Sequence, residues 1–131
     1  MKMKTLMVAL LAIASSTAIA QQNINNNGEK TVSPQVNADK TVTFRLLAPK
    51  AKSVTVKGDW EVNNGTGKMK KGKDGVWTYP TPALPSEMFT YRFDMDGVVA
   101  PDPSDPFTRR DVGNVFSIFF VNGGHADYYQ V

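Results

Sequence analysis

The sequence predicts a single-domain, all-β sandwich, and three features carry that prediction. Apolar side chains recur at every second position over several short runs, most clearly at Phe89, Tyr91, Phe93 and Met95, which is the period of a strand with one buried face. Turn-forming Gly, Pro, Asn and Asp residues punctuate those runs at close intervals. No segment beyond residue 20 repeats its apolar side chains at helical spacing. About seven to eight short strands packed as two sheets satisfy all three.

Taken in order, residues 1–20 read as an export signal: Lys2 and Lys4 form the charged start, 6–13 the apolar run, and Ala18-Ile19-Ala20 the small-residue site ahead of a cut before Gln21. The apolar run is far shorter than the ~20 residues of a spanning helix. The chain is therefore expected to be exported, periplasmic or extracellular, with no membrane attachment after cleavage. Residues 21–30, QQNINNNGEK, hold one aliphatic side chain and read as a flexible polar leader. The sandwich is then expected over 31–131. Pro34 confines 31–37 to an edge strand. Val42, Phe44 and Leu46 point one way in 41–47, Val54 and Val56 do so in 53–57, and 76–79 resumes the pattern. Between them 63–75, NNGTGKMKKGKDG, reads as a solvated loop in which Met69 pins a short strand. Residues 89–95 form the longest strand, Asp96-Gly97 turns the chain, 98–100 returns, and Pro101, Pro103 and Pro106 open a loop. The last strand, 115–121, is apolar on both faces: Val115, Phe119 and Val121 on one, Phe116, Ile118 and Phe120 on the other.

Composition narrows the chemistry. Loss of the signal removes two lysines and no acid, leaving 13 basic and 12 acidic side chains, so the basic excess of the whole chain argues for no nucleic-acid partner. With no Cys, apolar packing rather than disulfides must hold an exported fold. The single His, His125, stands in a Gly-rich turn, and no G-x-S-x-G elbow is present, so no catalytic constellation is expected. One His without Cys makes no zinc set, and Asp94, Asp96 and Asp102 lack the terminal bidentate acid of a calcium loop; no metal and no cofactor are expected. Asn64-Gly65-Thr66 has the glycosylation pattern and reads as an ordinary loop. What remains is a binding surface. Sugar rings present apolar C–H faces and dense hydroxyls, which suit an exposed flat aromatic beside charged donors. Trp60 after a strand end, Arg92 on the outward face of the longest strand and Lys73 from the lysine cluster are the candidates. Trp60 has an equal claim to the core, and Trp77 and Tyr79 read as core.

Ala48-Pro49, 52–60 (KSVTVKGDW), Gly75-Val76-Trp77, 91–97 (YRFDMDG) and Asp102-Pro103 resemble, in order, the early-set immunoglobulin-like module known as carbohydrate-binding module family 48. The resemblance covers most of 35–121. It implies an immunoglobulin-like β-sandwich of a kind that accompanies glycogen-branching and debranching enzymes and binds α-glucans. The stretches RLLAPKAKSVTVKGDW and PFTRRDVGNVFSIFFVNGGHADYY are similar to the branch that forms the N-terminal domain of exported bacterial esterases resembling feruloyl esterases. Carried over residue by residue, Arg92 stands at the family's basic position in the aromatic strand and Ser117 at its sugar-binding Asn. The family's two sugar-stacking tryptophans fall on Asn63 and on Val98-Val99.

Residues and resemblance together lead to a non-catalytic accessory module of an exported esterase that acts on plant cell-wall polysaccharide. Its expected partners are a xylan-type polysaccharide and an adjacent esterase domain. That domain would pack on Phe116, Ile118 and Phe120, because a small two-sheet sandwich covers only one face of a strand. The leader, or the proline loop with Phe107, folding over the same face is the competing expectation. Two alternatives stand beside this reading: a self-standing α-glucan- or other glycan-binding protein, and part of an enzyme whose hydrolase domain follows Val131.

Overall fold

The computed structural model describes residues 31–129; residues 1–30, where the export signal and leader are expected, and the last two residues lie outside the described residues. Ten strands follow in order: β1 (Gln35–Val36), β2 (Val42–Leu47), β3 (Val54–Gly58), β4 (Thr66–Lys68), β5 (Lys70–Lys71), β6 (Val76–Pro80), β7 (Met88–Met95), β8 (Val98–Ala100), β9 (Thr108–Asp111) and β10 (Asn114–Phe120). They form two antiparallel sheets. One has the order β1-β2-β6-β5; the other has β4-β3-β7-β10-β9, with β8 paired to the far half of β7. The all-β sandwich is the predicted class, and the extra strands are pieces of two to four residues where loops were expected.

The period of two decides which atoms meet between the sheets. In β2 the inward row is Val42, Phe44 and Leu46, and in β7 it is Phe89, Tyr91 and Phe93; every one of these is buried. Phe44 sits at the centre. Its ring lies 4.7 Å from Tyr91, 5.6 Å from Phe119 and 6.4 Å from Phe93, and it stacks at 5.6 Å and 13° on Trp60. Offset and edge-on pairs of this kind add to area burial because each ring's positive edge meets another's negative face. Trp77 closes one side of the core, and its indole N–H donates to Ala48 O at 2.9 Å, so the polar end of a buried ring is satisfied.

Two departures from the expected strands have local causes. The lysine-rich stretch is split by Met69, which is buried and donates its backbone N–H to Val54 O at 2.9 Å. The chain changes sheets there: β4 pairs β3, and β5 pairs β6. The second departure is β9, whose sequence TRRD is fully exposed and carries no apolar alternation, so its pairing with β10 is invisible to hydrophobic patterning.

Removing the central ring tests this account. Phe44→Ala is expected to cost ~3–5 kcal/mol of unfolding free energy, the range for a fully buried Phe. Urea titration should show a lowered midpoint with an unchanged slope.

Candidate functional site

The outward faces of β3, β7 and β10 lie side by side, and register brings their polar residues into rows. Lys57 pairs with Arg92, and Thr55 with Asp94. Phe116 pairs with Arg109 on the far side of the sheet, and β10 meets β7 next to Arg92. Arg92 lies over Phe116, its Cζ 4.3 Å from the ring centroid. Such a cation–π contact is worth ~0.5–1 kcal/mol at an exposed site. Arg92 Nη1 donates to Asn114 Oδ1 at 3.4 Å, a long contact. Beside it Lys57 Nζ donates to Asp94 Oδ2 at 2.8 Å, and that hydrogen bond holds the Asp94 carboxyl below its ordinary value. The result is a flat face of guanidinium, carboxylate, amide and hydroxyl groups over one aromatic ring.

At the rim of this face the β9–β10 hairpin turns through Val112 and Gly113, with φ of 36° and 87°. A branched side chain in the left-handed region is strained by ~1–2 kcal/mol, because Cβ crowds the following carbonyl. Val112 is 97% exposed, so no packing offsets that strain. Backbone strain held at a surface is a mark of functional positions. The valine projects an apolar side chain beside Asn114, at the edge of the polar face.

The structure separates the three residues proposed for binding. Arg92 lies on the face as expected. Trp60 does not: it is 3% exposed, stacked on Phe44 and edge-on to Phe89 and Phe119. Two glycines let it fold inward. A Cβ on Gly58 would fall 1.9 Å from the Trp60 ring, and one on Gly65 1.9 Å from Gly58 O. Asn63 and Asn64 adopt left-handed conformations that close the turn below it. Lys73 is exposed in the turn between β5 and β6, which belongs to the other sheet, so it does not join Arg92. Ser117 is wholly buried and its Oγ accepts the Asp102 N–H at 2.7 Å, leaving Asn114 as the amide beside Arg92. Sequence reading missed Lys57, Asp94, Asn114 and Val112 because their meeting depends on strand register. The three aspartates of the imagined calcium loop are spent elsewhere: Asp94 on Lys57, Asp96 on the Lys52 and Ser53 amides, and Asp102 in the interior.

Phe116, Ile118 and Phe120 do share one face of β10, all three half-buried, but they divide between two surroundings. Phe116 lies under Arg92. Ile118 and Phe120 line a groove of about 860 Å³ with Val32, Pro34, Pro106 and Phe107, so the segment before β1 and the proline loop approach that face. Phe107 and Val32 remain exposed at its rim.

The chain is thus a two-sheet sandwich whose broad sheet carries a guanidinium among polar groups on its outer face. Residues 31–108 match the family described as Carbohydrate-binding module 48 (Isoamylase N-terminal domain), and the chain belongs to that family. The module is non-catalytic. No curated protein matches the chain. Among solved structures it is similar to a Salmonella typhimurium protein provisionally assigned as an α-amylase, with 26% identity and a TM-score of 0.57 over 74% of this chain and 16% of that one. It is also similar to the Group B Streptococcus pullulanase bound to maltotetraose, at 21% identity and TM-score 0.56 over 72% and 15%. The Klebsiella pneumoniae pullulanase bound to maltotriose gives 19% and 0.53 over 70% and 10%. The last two share the fold alone. The chain spans at most 16% of the length of these proteins.

Two substitutions check the placement. Trp60→Ala is expected to cost ~3–5 kcal/mol of stability, as for a core aromatic, measured by urea unfolding. Val112→Asn, which suits a left-handed turn, is expected to add ~1 kcal/mol by relieving strain, read as a raised thermal midpoint.

Proposed function

We propose that the chain is the glycan-holding module of an exported polysaccharide-degrading protein, and that it binds α-glucan on the outer face of β3, β7 and β10. The carrying observation is Arg92, held over Phe116 among Asn114, Asp94 and Lys57. A guanidinium already held in place donates to two hydroxyls at once with less side-chain freedom to lose on binding. Family membership and the amylase and pullulanase names of the similar structures favour α-glucan over xylan, and a glycoside hydrolase over an esterase as the larger protein.

One observation keeps the xylan reading as a second possibility. The positions of the family's two stacking tryptophans hold Asn63 and Val98-Val99, all on the surface, and Trp60 is in the core, so the face lacks the flat aromatic that a glucan helix stacks on. In either case the groove beside Ile118 and Phe120 is the face left for a neighbouring domain of the same protein, and Phe116 serves the glycan face instead.

Titration calorimetry with maltoheptaose and with xylohexaose separates these readings. Binding to the first alone supports α-glucan, binding to the second alone restores the xylan-esterase assignment, and binding to neither removes the glycan role. Loss of a charged hydrogen-bond donor costs ~1.5–3 kcal/mol, so Arg92→Ala is expected to weaken binding about tenfold or more with an unchanged thermal midpoint.

A further inference from the structure

Three contacts meet around one buried phenol, and only two hydroxyl protons are present to serve them. Tyr91 is fully buried in β7, and its Oη lies 2.8 Å from Asp102 Oδ2 and 3.0 Å from Asp105 Oδ2. Ser33 Oγ donates to the same Asp102 oxygen while accepting the Arg45 backbone N–H at 3.0 Å. A phenol carries one proton and an ionised carboxylate none. The Tyr91 proton can therefore bond fully to one carboxylate. The other contact becomes a hydrogen bond only when that carboxyl is itself protonated and donates to the phenol oxygen. With both carboxylates ionised, the fully buried phenol oxygen would face one of them acceptor to acceptor, and that arrangement costs the desolvation of an unmet group.

No cation relieves this cluster among the described residues. The segment before β1 contributes Ser33, β7 contributes Tyr91, and β10 contributes Ser117, which meets the Asp102 backbone. The Arg45 guanidinium points away, to Val32 O at 3.1 Å and Gln35 Oε1 at 2.7 Å. Burial pushes the carboxyls of Asp102 and Asp105 up from their ordinary values, and it pushes the Tyr91 phenol up as well, so the phenol keeps its proton.

The same two aspartates also fasten the proline loop. Asp102 Oδ1 accepts the Ser104 N–H at 2.8 Å and Asp105 Oδ1 accepts the Phe107 N–H at 2.9 Å. Phe107 O then accepts the Ile118 N–H at 3.0 Å, joining the loop to β10. Asp105 and Phe107 both stand in the wall of the 860 Å³ groove. We propose that Tyr91, Asp102 and Asp105 share one exchangeable carboxyl proton and form an acid-closed latch: protonated, both carboxyls hold Tyr91 and tie the loop 102–107 to β7, and deprotonated, one of these tethers is lost and the loop is freed from the sheet, although its own amide bonds to Asp102 and Asp105 favour the ionised form.

The direction of the pH effect follows from linkage. Unfolded aspartates release their protons near pH ~3.9. The folded chain still holds one above that point, so it binds more protons than the unfolded chain until the raised folded value is passed. The latch contribution is complete below the ordinary value and is lost as pH rises through the raised one.

Carbon-13 NMR of the aspartate carboxyls, followed together with amide hydrogen exchange on the chain, tests this. One of the two buried carboxyls should titrate above the ordinary range. Across the same step the Ile118 amide, which ties the loop to β10, should exchange roughly tenfold faster per pH unit beyond the intrinsic change. Asp105→Asn should abolish that linked step while keeping the fold; should it not fold, the wild-type titration decides alone. Two carboxyls already ionised at their ordinary values would overturn the shared proton. A raised titration with unaltered loop protection would overturn the latch.

Discussion

Tyr91 is the constraint around which the sandwich is arranged. Its ring must be dry, because it fills the space between Phe44, Phe93 and Phe119, and its hydroxyl must be bonded, because no water reaches it. A strand cannot reconcile both demands alone. The proline loop does so by bringing Asp102 and Asp105 into the edge of the interior, and among the described residues no buried side-chain polar atom is left without a partner. The loop that reads in sequence as a proline-rich interruption is thus a plug. Its carboxyl groups exchange water for one phenol, two loop amides and a serine, so each keeps polar partners at the edge of a small core.

The alternation that buries Tyr91 also exposes the binding face. Phe89, Tyr91 and Phe93 point inward, so Thr90, Arg92 and Asp94 must point out, one row from β3 and β10 on either side. A one-residue slip of β7 would bury the arginine and expose the aromatics, so the core enforces the register of the site. Rigid strands hold these side chains more firmly than loops would, which suits recognition by a shallow surface where little area is buried. The sheet also protects itself at its rim. β9 presents Arg109 and Arg110 at an exposed edge, a charge pattern that discourages pairing with another chain.

Trp60 shows how one aromatic can change its role without leaving its place in the chain. In this protein Gly58 and Gly65 remove the side chains that would hold the indole out, and Phe44 offers it a parallel ring. The transfer of a Trp side chain from water to the core is favourable by more than a shallow sugar contact returns. The face is left to Arg92 on Phe116, a platform of different chemistry from a bare indole. For the glycan role proposed above, that difference bears on which sugar would fit, since a guanidinium reads hydroxyl positions through directed donors while an indole reads the flat side of a ring.

Much of this was legible in the residues themselves. The two-residue period of β2, β3 and β7, the Asp96-Gly97 turn and the double apolar faces of β10 are local properties, set by the geometry of a pleated strand, and they emerged where expected. The outward placement of Arg92 followed from the same alternation. Other features rest on meetings between residues far apart in the chain. Trp60 is buried because of Gly58, Gly65 and Phe44 together; Asn114 reaches Arg92 through the pairing of β10 with β7; Lys73 is carried to the opposite sheet by the crossing at Met69; and Asp102 and Asp105 reach Tyr91 only once the proline loop has folded inward. A sequence sets the period of each strand, because that depends on neighbouring bonds. Which side chains share a surface, and which acids lose their water, depends on strand register and on space between sheets, and those quantities exist only after the core has closed.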